Sequence, residues 1–332
     1  MYGVLALSPE ERRTIFRNTA QKMGVHEAVI EKDYWVCLIL DHLFHKSRFR
    51  KHLAFKGGTS LSKCFSLIKR FSEDIDLILD WRLLGYEKDE PWQERSKTKQ
   101  DAYNKEANKR TELFLANELL PVFISELSGI INEKVEMEVS QINPQTINVH
   151  YPQLFSTESI LQSICLEIGA LAAWTPVVVR DVTPYIFEYY PELDRSISTA
   201  VVTSSVERTF WEKATILHHE ANRPEHLDMP TRYSQHYYDL YCIAQTEYKA
   251  TALQQLDLLQ KVVDFKMRFY PRKWAKYEEA VPGSFKLVPP LYRIEGLRSD
   301  YRGMGEMLFG GYPPFDELVD SIKVIEKEVN NL

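Results

Sequence analysis

Asp74 and Asp76 stand two apart in the apolar run Asp74-Ile75-Asp76-Leu77-Ile78-Leu79. In a strand that spacing sends both carboxylates from one face, while Ile75 and Leu77 take the other. Side-by-side carboxylates repel unless a cation lies between them, so the pair points to divalent-metal chemistry. Upstream, a short apolar run leads into Phe55-Lys56-Gly57-Gly58-Thr59-Ser60-Leu61-Ser62-Lys63. Two glycines and two hydroxyl residues there allow a sharp turn that aims backbone N–H groups at an anion near a helix start. Gly57, Gly58, Thr59, Ser60 and Lys63 are thus candidate nucleotide contacts, and Asp74 and Asp76 candidate metal ligands. Nucleotidyl transfer needs both parts: a turn for the departing phosphates, and carboxylates for two divalent cations about 3.5–4 Å apart.

Such a site takes a third carboxylate from a neighbouring strand. Glu167, the lone acid in Ile164-Cys165-Leu166-Glu167-Ile168, is the candidate, because burying it is costly unless it meets a cation. Glu136 and Glu138 compete, but their alternating run reads as a half-exposed strand. Lys213 lies at helical spacing with Val206, Phe210 and Leu217, at the margin of an apolar stripe. It is either an inward lysine seeking an anion or one whose stem packs while its head stays in water. Arg232, His236 and Asp239 share a helix face by spacing, as an ion-pair network or part of a nucleotide site. His218 and His219 have no partners at metal spacing and read as surface or cap residues.

The elements that must position these groups are legible in part. Ser8-Pro9-Glu10-Glu11 starts a helix with a capping box, and Gly24 ends it. A second helix, 27–45, carries Glu31-Lys32-Asp33, read as surface charge, with a supporting role near the active site as the alternative. Residues 80–110 read as a loop and long helix inserted into the sheet. Strands follow at 135–139, 146–151 and 163–168. From Ser204, whose side chain with Glu207 predicts another capping box, the chain turns helical, over about 204–221, 232–246, 253–266 and 314–329.

The chain has 332 residues, 44% hydrophobic and 27% charged, enough for two domains of ordinary globular composition. A net charge of −6 argues against holding nucleic acid by bulk electrostatics, though eight cations between Lys46 and Arg70, with no acid among them, could form a local basic patch. Cys37, Cys64, Cys165 and Cys242 are scattered without a CxxC pair, which suggests reduced thiols in a cytoplasmic protein. No apolar run approaches the roughly 18 residues of a membrane span.

Taken together, Phe-Lys-Gly-Gly-Thr-Ser-Leu-Ser-Lys at 55–63, Arg-Phe-Ser-Glu-Asp-Ile-Asp-Leu at 70–77, Glu-Lys-Asp-Tyr-Trp-Val at 31–36 and Glu-Lys-Ala-Thr-Ile-Leu-His at 212–218 resemble the AbiEii/AbiGii toxin family of nucleotidyltransferases. That family, which includes the MenT toxins, belongs to the DNA polymerase β-like superfamily. Tyr-Asp-Leu-Tyr at 238–241 and Asp-Tyr-Arg-Gly-Met at 300–304 extend the resemblance into the C-terminal half. It implies an α+β protein: a polymerase β-like lobe of mixed sheet and helices over residues 1–203, and a mostly helical lobe over 204–332. By motif it implies phosphate contacts at Gly58 and Ser60, metal ligands at Asp74 and Asp76, a triphosphate contact at Lys213 and an acidic residue of the last motif at Asp239. It further implies Mg²⁺ and NTP, an RNA acceptor such as the tRNA 3′ end, and a separately encoded antitoxin of a type IV toxin–antitoxin or abortive-infection system. Transfer of NMP to a protein, or a non-catalytic NTP-binding scaffold, are the alternatives.

Overall fold

The structure is a computed structural model describing all residues except Glu73, Asn132, Glu158, Ser159, Ala173, Arg195 and Ser196, and the side chain of Glu306. It divides into two compact units, Met1–Phe65 with Phe71–Ser204, and Ser66–Arg70 with Ser205–Leu332.

The first unit is built on seven strands: β1 (Leu53–Lys56), β2 (Asp74–Leu79), β3 (Glu136–Val139), β4 (Thr146–His150), β5 (Ile164–Gly169), β6 (Val177–Val182) and β7 (Thr199–Ser204). They form one sheet in the order β3-β4-β5-β2-β1-β7-β6. β2 is antiparallel to β1 and parallel to β5, and β1 is parallel to β7, so the sheet is mixed. The fold is α+β, as the motifs imply. β6 and β7 extend the sheet where the sequence had suggested no strand.

Among the described residues, six α-helices belong to this unit: α1 (Pro9–Met23), α2 (Glu27–Asp41), α3 (Gly57–Lys63), α4 (Lys97–Phe114), α5 (Leu120–Ser128) and α6 (Ile186–Tyr189). α1 starts on the expected Ser8/Glu11 capping box and stops at Gly24, whose φ of +67° suits a residue without Cβ. α2 does not show a charged surface. Glu31, Lys32 and Asp33 are all buried, which corrects the surface reading. Each is satisfied inside: Glu31 accepts the backbone N–H groups of Leu154 and Phe155 at 2.7 and 2.9 Å, Lys32 donates to the Leu161 carbonyl at 2.9 Å, and Asp33 pairs with Lys63 at 2.5 Å. Burial pushes the Glu31 carboxyl up to about 7 against the pull of its two N–H bonds.

The second unit holds α7 (Val206–Ala221), α8 (Ser234–Ala244), α9 (Glu247–Leu253), α10 (Leu256–Phe269), α11 (Ile294–Gly303) and α12 (Phe315–Asn330). The cap of α7 is Ser205, not Ser204. Its hydroxyl accepts from the Arg208 N–H, while Ser204 is the last residue of β7. Ser205→Ala should therefore cost about 1 kcal/mol in urea unfolding, in the usual range for a lost N-cap. His218 is fully buried, its Nε2 bonded to the Lys276 carbonyl at 2.9 Å and its Nδ1 accepting the Lys286 N–H at 3.1 Å, and so is no surface residue. Arg232 does not join the α8 face. It precedes the helix with a φ of +59°, its N–H bonded to Asp300 at 2.6 Å.

All four cysteines are free. Among the described residues no helix is long and apolar enough to cross a membrane.

Candidate active site

β1 and β2 pair so that Lys56, the last residue of β1, lies opposite Asp76. The chain must then leave the sheet at once, and Gly57 does this with a φ of +81°. A Cβ on Gly57 would lie 1.9 Å from Asp76 Oδ2, so the carboxylate occupies the space a side chain would need. The turn is thereby pressed against the acidic strand. Thr59 tightens the join by donating its hydroxyl to the Asp74 carbonyl, and Ser60 donates to the Gly57 carbonyl at 2.9 Å. Both hydroxyls point inward, so what the turn offers an anion is its backbone.

Gly57→Ala is expected to cost about 1–3 kcal/mol for a side chain held at positive φ, read by thermal unfolding. Displacing Asp76 should also lower activity about a hundredfold, the scale of a 1 Å misplacement. Adding Asp76→Ala should recover part of the stability and none of the activity.

On the other side of β2, the parallel register sets Asp74 beside Cys165 and Asp76 beside Glu167. Partial burial, then the charges of Asp76 and Asp74, push the Glu167 carboxyl up to about 7. Glu167 is nonetheless exposed, because β5 alternates and turns this residue away from the core. The burial argument that singled it out therefore fails; what brings it to the aspartates is strand register. Lys56 Nζ lies 3.8 Å from Asp76 Oδ1. Among the described residues no three His, Cys, Asp or Glu side chains already stand as a ready metal site. The donor chemistry does suit Mg²⁺, a hard cation usually bound by one or two carboxylates together with substrate phosphates and water. The repulsion that raises Glu167 is what such a cation relieves.

Lys63, at the far end of α3, is committed elsewhere. Its ammonium pairs with Asp33, donates to the Thr183 carbonyl at 2.9 Å and lies 3.8 Å from the Tyr185 ring centroid. Asp33 also accepts the Tyr185 N–H at 2.8 Å. Burial opposes the ammonium, but Asp33 outweighs it and raises the Lys63 pKa, while burial raises the Asp33 carboxyl against the pull of Lys63 and the Tyr185 N–H. The pair ties α3 to α2.

The second unit has its own charged centre. Asp239, wholly buried on α8, accepts a bidentate pair from Arg70 at 2.8 and 3.0 Å and an ion pair from Lys213 on α7 at 2.8 Å. Burial alone would raise its pKa, but the two cations hold it far below the usual carboxylate range. Lys213 also contacts His236 Nδ1 at 3.1 Å, and desolvation with the Lys213 charge keeps that imidazole neutral. Lys213 is therefore an inward lysine; the snorkelling alternative does not hold.

Residues 38–321 match the family described as nucleotidyl transferase AbiEii toxin, type IV toxin–antitoxin system. The chain belongs to that family. It is a nucleotidyltransferase toxin, with an NTP as substrate and an antitoxin as counterpart. Its fold is similar to that of MenT4, a nucleotidyltransferase toxin from Mycobacterium tuberculosis H37Rv, with a TM-score of 0.54 at 14% identity over 96% of this chain and 90% of that one. No curated protein matches its sequence.

In this AbiEii-family nucleotidyltransferase, Gly57, Gly58, Thr59, Asp74, Asp76 and Glu167 gather about β2, whereas Lys213 and Asp239 form their own pair. Two residues were missed. Arg70, which the sequence placed in a basic run and at the head of the 70–77 motif without a role of its own, is the bidentate partner of Asp239, and Asp33, read mainly as surface charge, is the buried partner of Lys63. The run from Lys46 to Arg70 is not one patch: Arg48 pairs with Glu118, Lys56 with Asp76, Lys63 with Asp33 and Arg70 with Asp239.

Proposed function

We propose that this toxin is a Mg²⁺-dependent enzyme that transfers NMP from an NTP to the 3′ hydroxyl of an RNA, such as the acceptor end of tRNA. The 3′ oxygen loses its proton and bonds to the α-phosphorus, and the bond to pyrophosphate breaks. Asp74 and Asp76, with Glu167 beside them, are the residues that would hold the metal. Bound there, Mg²⁺ supplies Lewis-acid stabilisation of the attacking and leaving oxygens. The turn at Gly57 and Gly58 gives its backbone N–H groups to the phosphates. Lys213, two of whose three donors go to Asp239 and His236, is assigned to an NTP phosphate. Asp239 then acts through Lys213 and positions it.

The observation that carries this reading is the close approach of Gly57 to Asp76, which presses the phosphate turn against the acidic strand. The test is incubation with each labelled NTP and total cellular RNA. Label that is lost to RNase, survives protease and disappears with EDTA is expected. Label that survives RNase and is lost to protease would move the acceptor to protein, and no label with any NTP would leave a scaffold.

A further inference from the structure

Lys266 to Lys276 holds five cations and no carboxylate, in a chain whose net charge is −6. The segment is the last turn of α10 and the chain beyond it. Trp274 pins it to the end of α7: its ring centroid lies 4.4 Å from that of His219 and 4.8 Å from the Arg223 guanidinium. Arg272 reaches the same ring at 5.9 Å. His219 meets Tyr277 at 5.9 Å, and Lys266 stands 5.8 Å from that second ring. Three cations, Lys266 and Arg272 from this segment and Arg223 from beyond α7, thus stand about the Trp274, His219 and Tyr277 rings. Their convergence is felt by His219, which burial first, and then Lys266, Arg223 and Arg272, hold down to about 3.

A helix C-terminus attracts cations, which accounts for Lys266 and Arg268 in the last turn of α10. It does not account for Arg272 and Lys273, which lie past that turn. Both are exposed, and among the described residues neither has a carboxylate partner, whereas Arg223 pairs with Glu220 and Lys276 with Glu279. Like charges held together on a surface favour an anion arriving from outside. The interleaved aromatics narrow its identity. Tyr270, 50% exposed, lies among the cations, and aromatic rings between cations suit a polymer of phosphates and stackable bases.

We infer that the surface formed by Lys266–Lys276 and the end of α7 docks the phosphate backbone of an RNA, with Arg272 and Lys273 as phosphate contacts. The inference rests on the RNA-acceptor reading above, for which it supplies an interaction surface within the second unit.

The test compares the parent enzyme with Arg272→Glu/Lys273→Glu, both positions being exposed, and checks that the thermal midpoint is unchanged. Binding is followed by anisotropy of a fluorescein-labelled tRNA transcript across a salt series. Losing two phosphate contacts should weaken binding about tenfold at moderate salt and lower the log–log salt slope by about two. In the transfer assay the KM for RNA should rise while the KM for NTP stays put. Arg272→Gln/Lys273→Gln should show a smaller effect in the same direction. Unchanged binding and slope, with RNA still labelled, overturn the surface and leave the acceptor reading standing. A parent enzyme that neither labels nor binds RNA overturns both. Loss of antitoxin neutralisation with RNA binding intact overturns the inference in favour of a protein-binding surface.

Discussion

Asp76→Asn is expected to lower NMP transfer by about a thousandfold or more while the protein stays folded. The substitution keeps the shape that fills the space against Gly57, so the turn has no reason to move. What it removes is one negative charge from a cluster in which Asp76 and Asp74 already oppose the ionisation of Glu167. Without metal that charge is a liability, so thermal stability should be unchanged or slightly higher. With metal it is a ligand, and metal stabilisation of transition-state charge is worth several kcal/mol, or about three powers of ten in rate. The two effects have opposite signs, which separates a catalytic role from a structural one. A second readout is ligation: Mg²⁺ with NTP should raise the melting temperature of the parent and barely move that of Asp76→Asn. Glu138→Gln, on an exposed face of β3, is the control and should change neither. Retention of full transfer by Asp76→Asn would sink the assignment of β2 as the metal strand.

How much of this could be read from the chain depends on whether the signal was local. Gly57-Gly58 and Asp74-x-Asp76 are short-range patterns, and the backbone geometry they dictate is the geometry found. Ser8, Glu11 and Gly24 fixed α1 for the same reason. Glu31, Lys32 and Asp33 misled because their partners are far along the chain: Leu154 and Phe155, the Leu161 carbonyl, and Lys63. A buried charge paired across such distances has the same local sequence as an exposed one. β6 escaped notice because it is an edge strand whose middle, Val179 to Asp181, is exposed, so the usual alternation is missing. Glu167 was chosen for a wrong reason and is held beside Asp76 by a register that only the parallel pairing of β2 with β5 defines.

Asp239→Ala should be the most destabilising single change, by about 3–5 kcal/mol, because it removes the buried carboxylate with which both Arg70 and Lys213 pair. The pH dependence follows from the same pairing. The folded-state pKa of Asp239 is depressed, so its contribution is fully present above the unfolded carboxylate value of about 3.9 and is lost as pH falls through the lower, folded value. The parent should therefore lose more stability than Asp239→Ala when urea unfolding is repeated at progressively acid pH, and the two curves should converge. Replacing all three charges by apolar residues of similar volume, Arg70→Met, Lys213→Met and Asp239→Leu, should restore much of the lost stability, since it is the unmatched charge that is costly. Activity separates the remaining possibilities. If the network only holds the second unit together, the apolar triple should recover transfer along with stability. If Lys213 meets an NTP phosphate, the triple should refold yet stay inactive, with Lys213→Met alone raising the KM for NTP. The second outcome is expected, because Asp239 and His236 take two of the three Lys213 donors and the proposed phosphate would take the third.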